Sequence, residues 1–341
     1  GSFVTCKLGP FQIGQQMPCA FIDHTVAPVC NSPCNAGRQE GFSQSGIAGK
    51  QQIAGLFRKE LGIPAAGLEG FFHDSADIDT QKMNPPPAVE DVKAKKETYY
   101  EKLDCFAYTA DEIGHCKGLY KQLIEYGRAL HKAGVKQFVV MPPFAELFDD
   151  GLGEGRSAVD IWVVLPKQYI EYKKNIDKAI LKGDSVWTYN CLVQDTYSPK
   201  WLLDYPLINF RIQQGFINYS LKAEGFLFWV ADNYKNREDV WTRLNDKFDG
   251  EVWNGDGILF YPSDELGIEG SFVPSMRAKA IRDGFEDYEL CAEMARRGKG
   301  ALAQLYSESV GKDFHNWTQD NMELITKRKK MGEAFRIGGK R

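Results

Sequence analysis

The chain has no uninterrupted apolar run near the roughly 18 residues that a membrane-spanning helix needs, so no span is expected. It has no basic excess either: 42 Lys and Arg face 46 Asp and Glu, a net charge of −4. Nucleic acid is therefore not an expected partner. The short basic clusters at Lys93–Lys96 and Lys327–Lys330 are mixed with acids and read as solvated faces. None of the eight cysteines, Cys6, Cys19, Cys30, Cys34, Cys105, Cys116, Cys191 and Cys291, forms a C-x-x-C set. Cys30 and Cys34 lack a His/Cys partner pair at metal spacing, and His115 and His131 read as helical or surface positions, so no metal and no cofactor is expected. No glycine-rich phosphate loop follows the first strand, no G-x-S-x-G elbow occurs, and no Ser-His-Asp order stands out. Gly1-Ser2 reads as a processing scar, which makes the missing leader uninformative; a secreted or periplasmic setting is favoured over the cytoplasm.

What the sequence does hold is apolar material for a large core, 43% of 341 residues, and an aromatic share of 13% that includes seven Trp and fifteen Tyr. Flat, amphipathic rings suit sugar-binding clefts, although large barrel cores also consume them. The most informative stretch is Asp104–Cys116, DCFAYTADEIGHC. Residues 105–110 form a compact, β-favouring apolar run that reads as a buried strand, and Asp111 and Glu112 would stand at its carboxyl end. In α/β sheets and barrels that end carries catalytic groups. Two adjacent, partly buried acids repel, so one is pushed toward the protonated state and the other stays an anion, as general acid–base chemistry requires. The other reading is that the pair caps a following helix.

Along the chain, 1–50 is irregular apart from a strand near 19–23, a helix is expected at Gln51–Leu61, and a second weak strand near 67–72 ends at His73-Asp74. After Pro85–Pro87 a helix is expected over Val89–Lys102. Strands at 105–110, 137–141, 159–165, 185–191, 226–230 and 257–261 then alternate with helices at 117–133, 168–182, 205–222 and 275–296. Strand–helix alternation of this kind predicts parallel β/α units. Counting the two weak strands, the total reaches the eight of a (β/α)8 TIM-type barrel over residues 1–300, with a helical tail over 301–341.

The strand ends of such a barrel nominate a substrate-binding bowl of His73, Asp74, Trp187, Tyr189, Asn190, Trp229, Asp232 and Tyr261 around the acids. Trp187 and Tyr189 would share a face, with barrel filling the rival role for Trp187. Trp229 beside Asp232 offers a ring to stack on a pyranose and a carboxylate to hold its hydroxyls, a loop cap being the rival role for Asp232. Asp256 precedes its strand and reads as structural, and Arg282 with Glu286 reads as an i,i+4 ion pair.

Trp187-Thr-Tyr-Asn-Cys191, Asp204-Tyr-Pro with Arg211, Gly225-Phe-Leu-Phe-Trp229, Asn254–Pro262, Val159–Val163 and Ser275–Glu289 together resemble the catalytic domain of glycoside hydrolase family 123 and its wider relatives, over about 104 to 297. The resemblance implies a (β/α)8 barrel that cleaves β-linked N-acetylgalactosamine or a related hexosaminide with retention, by substrate-assisted catalysis. It further implies that Glu112 protonates the glycosidic oxygen while Asp111 orients the substrate's 2-acetamido group. Ile113 stands where the family usually has Pro, and the sequence leaves no room for the N-terminal β-sandwich that members commonly carry. Two other readings stay open: a glycosidase for a sugar without the acetamido group, using Asp232 or Asp74 as second carboxylate, and a carbohydrate-binding barrel without catalysis. The expected partner in each case is a glycan.

Overall fold

The computed structural model describes residues 85–100, 105–191, 195–229, 231, 251–263, 266–268 and 273–336, together with strand segments at 2–7, 19–23, 76–77, 82–83 and 245–248. The expected helix at Gln51–Leu61, the strand near 67–72, and the candidates His73, Asp74 and Asp232 lie outside these residues. The strand expected near 19–23 is present as Cys19–Asp23.

In chain order the first strands are β1 (Ser2–Lys7), β2 (Cys19–Asp23), and the short antiparallel pair β3 (Ala76–Asp77) and β4 (Lys82–Met83). There follow β5 (Phe106–Asp111), β6 (Lys136–Val140), β7 (Ile161–Val164) and β8 (Ser185–Asn190). β5 pairs with β6, β6 with β7 and β7 with β8, all parallel, so the α/β class read from the sequence holds. The chain divides into two compact units, the first made of residues 20–48 and 66–189 and the second of residues 1–19, 49–65 and 190–341.

In the first unit, aromatic and β-branched residues make the strands because a pleated surface covered on both sides accommodates them best. One face of β5 packs Ala107 with Val92, Leu130, Ala133 and Val135. These come from the helices Val89–Tyr100 and Tyr120–Lys132 and the turn that follows. The second helix buries Tyr120, Leu123, Tyr126, Gly127 and Leu130, a stripe at three- and four-residue spacing. A Cβ on Gly127 would collide with the Ala158 carbonyl, so only glycine allows this helix so close to the sheet connection. Burying a side chain such as Leu123, fully excluded from solvent, contributes about 1.5–3 kcal/mol. The opposite face is aromatic: Phe106 stacks on Phe138 at 5.2 Å, and Trp187 meets both edge-on at 5.5 and 5.4 Å.

The second unit contains β9 (Gly225–Phe228), which pairs antiparallel with β1, the antiparallel pair β10 (Asn245–Phe248) and β11 (Glu251–Asn254), and the short pair β12 (Phe260–Tyr261) and β13 (Val273–Pro274). Its core is a crossing of Asn209–Leu221, interrupted by a π segment at Gln213–Ile217, with the long helix Met276–Met294. Arg211 holds Asp287 with two hydrogen bonds of 2.6 and 3.0 Å, and Arg328 reaches the same carboxylate at 3.1 Å. The Arg282–Glu286 ion pair is formed at 3.6 Å.

The strand expected at 257–261 is corrected. Only Phe260–Tyr261 is extended, and its partner is the antiparallel β13 rather than a parallel barrel neighbour. Gly255 and Gly257 have φ of +67° and +68°, left-handed conformations that turn the chain where a strand would have to run straight. The expected 159–165 strand shortens to β7, and the 205–222 helix starts at Asn209.

Candidate active site

A regular β5 would place Phe106, Tyr108 and Ala110 on one face and Ala107, Thr109 and Asp111 on the other. Its pairing with β6 is not regular: Tyr108 lies opposite Phe138, Ala110 opposite Val139 and Asp111 opposite Val140. Thr109 and Ala110 thus answer a single step on β6, a β-bulge, which is rare between parallel strands. The extra residue brings Asp111 to the side of Val140, which is also that of Phe138 and Tyr108. Tyr108 confirms that side, meeting Phe138 edge-on at 4.9 Å.

Glu112 follows with φ of +52°, a left-handed conformation that side chains with a Cβ rarely adopt. Its amide donates to the Val140 carbonyl at 2.8 Å, prolonging the β5–β6 ladder by one rung. Behind it Ile113 is fully buried, and the loop is fastened by Cys116 N–H to Ile113 O at 2.8 Å and Tyr120 O–H to Gly114 O at 2.7 Å. The capping alternative does not hold. The next helical turn starts at Lys117 with Cys116 at its cap, and neither acid reaches it.

Burial pushes the Glu112 carboxyl above its ordinary value, partly opposed by the nearby His115. The Tyr108 phenol is pushed well above its usual range, first by burial and then by Asp111, Tyr189 and Glu112, with a hydrogen bond to Asp111 contributing. The phenol therefore stays protonated, with Asp111 near enough to act on it electrostatically. The described residues so bring together Asp111, Glu112 and Tyr189 around Tyr108. Tyr108 was missed in the sequence because strict alternation separates it from Asp111.

The other candidates are placed differently. Trp187 is 1% exposed, wedged between Phe106 and Phe138, with its Nε1 donating to Ser185 Oγ at 3.1 Å; it fills the interior and offers no free face to a ligand. Asn190 is also sealed, its Nδ2 donating to Pro199 O at 2.8 Å and Gln213 Oε1 at 2.7 Å, both within its own unit. In the same unit the half-buried Trp229 donates its amide to Asn190 O at 3.2 Å. Tyr261, half-buried, accepts from Arg277 Nη2 at 3.2 Å.

His131, read as a helical or surface position, lies in the helix Tyr120–Lys132 with its side chain only 3% exposed: Nδ1 lies 2.7 Å from Asp150 and Nε2 2.9 Å from Asp160, whose other oxygen takes Arg156 at 2.6 and 2.9 Å. Its partners lie 19 and 29 residues away, a spacing with no local signature. The network sits where β6 and β7 begin, opposite the end that carries the acids. Among the described residues no group of three His, Cys, Asp or Glu could hold a metal, and no helix is long and apolar enough to cross a membrane.

A carboxyl pushed toward its protonated form by burial, beside a second carboxyl and a buried phenol, is an arrangement in which general acid chemistry can be sought. Comparison with curated proteins finds no match. Among solved structures the chain is similar to a family 123 glycoside hydrolase from Clostridium perfringens, described for glycolipid glycan hydrolysis, at 13% identity and a TM-score of 0.48 over 76% of this chain. It spans 47% of that protein, about half its length. The resemblance expected from about 104 to 297 is narrower than read: the matched span takes in Trp187, Tyr189, Asn190, Trp229, Asp232 and Tyr261, and begins after Asp111 and Glu112. Residues 146–294 match the family model of the glycoside hydrolase 123 catalytic domain.

Proposed function

We propose that the protein is a retaining glycoside hydrolase for β-linked N-acetylgalactosamine or a related hexosaminide, with the substrate's own 2-acetamido group as nucleophile. The observation that carries the reading is the delivery of Asp111 and Glu112 to one mouth of the sheet, with the Glu112 carboxyl kept toward its protonated form by burial. Glu112 donates its proton to the glycosidic oxygen as the bond to the anomeric carbon breaks. The acetamido oxygen attacks that carbon, and Asp111 orients the acetamido N–H and steadies the positive charge of the resulting oxazolinium. Water then opens the oxazolinium, giving its proton to the Glu112 carboxylate, so configuration is retained and the acid is regenerated. Two inversions at one carbon restore the starting anomer, and no enzyme nucleophile is needed.

This reading uses the aromatic face of β5 to β8 and does not depend on closure into an eight-stranded barrel. Tyr189 is the proposed ring contact to the sugar within the acids' own unit, and the binding roles read for His73, Asp74, Trp229, Asp232 and Tyr261 stay as proposed from the sequence. The test is a panel of aryl glycosides with and without a 2-acetamido group. Hydrolysis confined to the acetamido members is expected, and E112Q should lower kcat about a hundred- to ten-thousandfold. Wild-type turnover by E112Q would remove Glu112 from the acid's role. Turnover of sugars lacking the acetamido group would favour a second carboxylate as nucleophile.

A further inference from the structure

The bulge in β5 has a built-in clamp. Thr109, the extra residue, is fully buried, and its Oγ1 lies 3.2 Å from Gln137 Oε1 and 3.4 Å from the Phe138 carbonyl. Gln137 is fully buried as well, and both hydrogens of its amide nitrogen are committed: Nε2 donates to Leu123 O at 2.9 Å and to Ala158 O at 3.0 Å. Carbonyls only accept, so the amide cannot be turned over, and its oxygen is obliged to face Thr109. The Gln137 backbone is fixed too, its N–H donating to Asp160 Oδ2 at 2.7 Å. One immobile acceptor therefore waits for one hydroxyl at the position where the strand must kink.

Resting on the reading of Asp111 given above, we propose that Thr109 and Gln137 are positioning residues: their hydrogen bond holds the bulge, and the bulge decides which face of the sheet Asp111 occupies. Without the extra residue looped out, alternation returns and the side chain at 111 moves to the helix-covered face, with Ala107. A buried hydroxyl is costly unless it is paired, and both acceptors within reach of this one, Gln137 Oε1 and the Phe138 carbonyl, lie on β6, which ties the local conformation of β5 to the pairing.

The experiment compares T109S, which keeps the hydroxyl, with T109V, which keeps the shape and loses it, by crystal structure and by kinetics on an aryl 2-acetamido glycoside. T109S is expected to retain the bulge and kcat within about twofold, whereas T109V is expected to straighten β5 and lower kcat about a hundredfold with KM changed only a few-fold. Rescue by Ser and a fall confined to kcat separate positioning from loss of fold. Should T109V not purify as a folded protein, T109A is read by the same criteria. A T109V structure with Asp111 still opposite Val140 overturns the proposal. The two readings fail separately: a wild type that hydrolyses no glycoside overturns the enzymatic function, while the pair of structures still decides whether the hydroxyl holds the bulge.

Discussion

At the scale of single residues, Glu112 carries two unfavourable features at once. Its left-handed backbone costs about 1–2 kcal/mol for a residue with a Cβ, and burial disfavours its charged form, opposed only in part by His115. Such costs persist where chemistry needs the group in that state. The folded carboxyl titrates above its unfolded value, so the folded protein holds this proton more tightly than the unfolded chain. That contribution to stability is complete at acid pH and is lost as pH rises through the raised value. E112Q, which carries no titrating proton, should therefore unfold at a higher temperature than wild type at neutral and alkaline pH and at much the same temperature in acid. Thermal unfolding of both proteins across pH checks this, and a constant difference at all pH values would show that burial does not perturb the group. The pair of acids was legible in the sequence, because adjacency and a preceding apolar run are local. Tyr108 and the tie of Asn190 to Gln213 were not, since both depend on which face a side chain takes or on a partner 23 residues away.

At the scale of elements, the parallel strands β5 to β8 and the helices between them were readable because apolar periodicity and glycine stops report local conformation. The helix Lys173–Lys182, for example, ends at Gly183 with φ of +92°. The run at 257–261 misled for the same reason in reverse: its residues favour extension, but flanking glycines take left-handed turns that hydrophobicity does not encode. Close helix crossings are likewise silent in a single sequence. Gly284 on the helix Met276–Met294 faces the Arg211 carbonyl and the Gln214 side chain, with Gly215 against its own carbonyl. A Cβ at position 284 would collide with both neighbours, and Gln214 Nε2, which donates to Phe210 O at 2.7 Å and Ile281 O at 2.9 Å, cannot move aside without breaking those bonds. G284A should destabilise the protein by about 1–3 kcal/mol despite the better helix propensity of alanine. Denaturant unfolding measures it, and a neutral or stabilising result would mean that the crossing has more slack than its geometry indicates.

For the molecule as a whole, the α/β class followed from strand–helix alternation, whereas the barrel count rested on adding weak segments to clear ones, and one clear segment proved to be an antiparallel pair. Pairing is a long-range property, so counting strand-like runs does not say which of them lie side by side. Reaction type is a whole-molecule question in the same sense, because it depends on whether a second carboxylate approaches the sugar or the substrate supplies its own nucleophile. In the substrate-assisted route the intermediate is a bicyclic oxazolinium held by Asp111, and a thiazoline analogue of the N-acetyl sugar copies its ring and charge without being opened readily by water. Since a site complementary to the transition state binds its mimics about 10²-fold or more tighter than substrate, the thiazoline should inhibit competitively with a Ki at least that far below the KM of the aryl glycoside. D111N, with its carboxylate replaced, should lose most of that advantage while still binding the simple sugar. A two-carboxylate enzyme would bind thiazoline and N-acetyl sugar alike, so equal constants for the two ligands would transfer the nucleophile's role from the substrate to the protein.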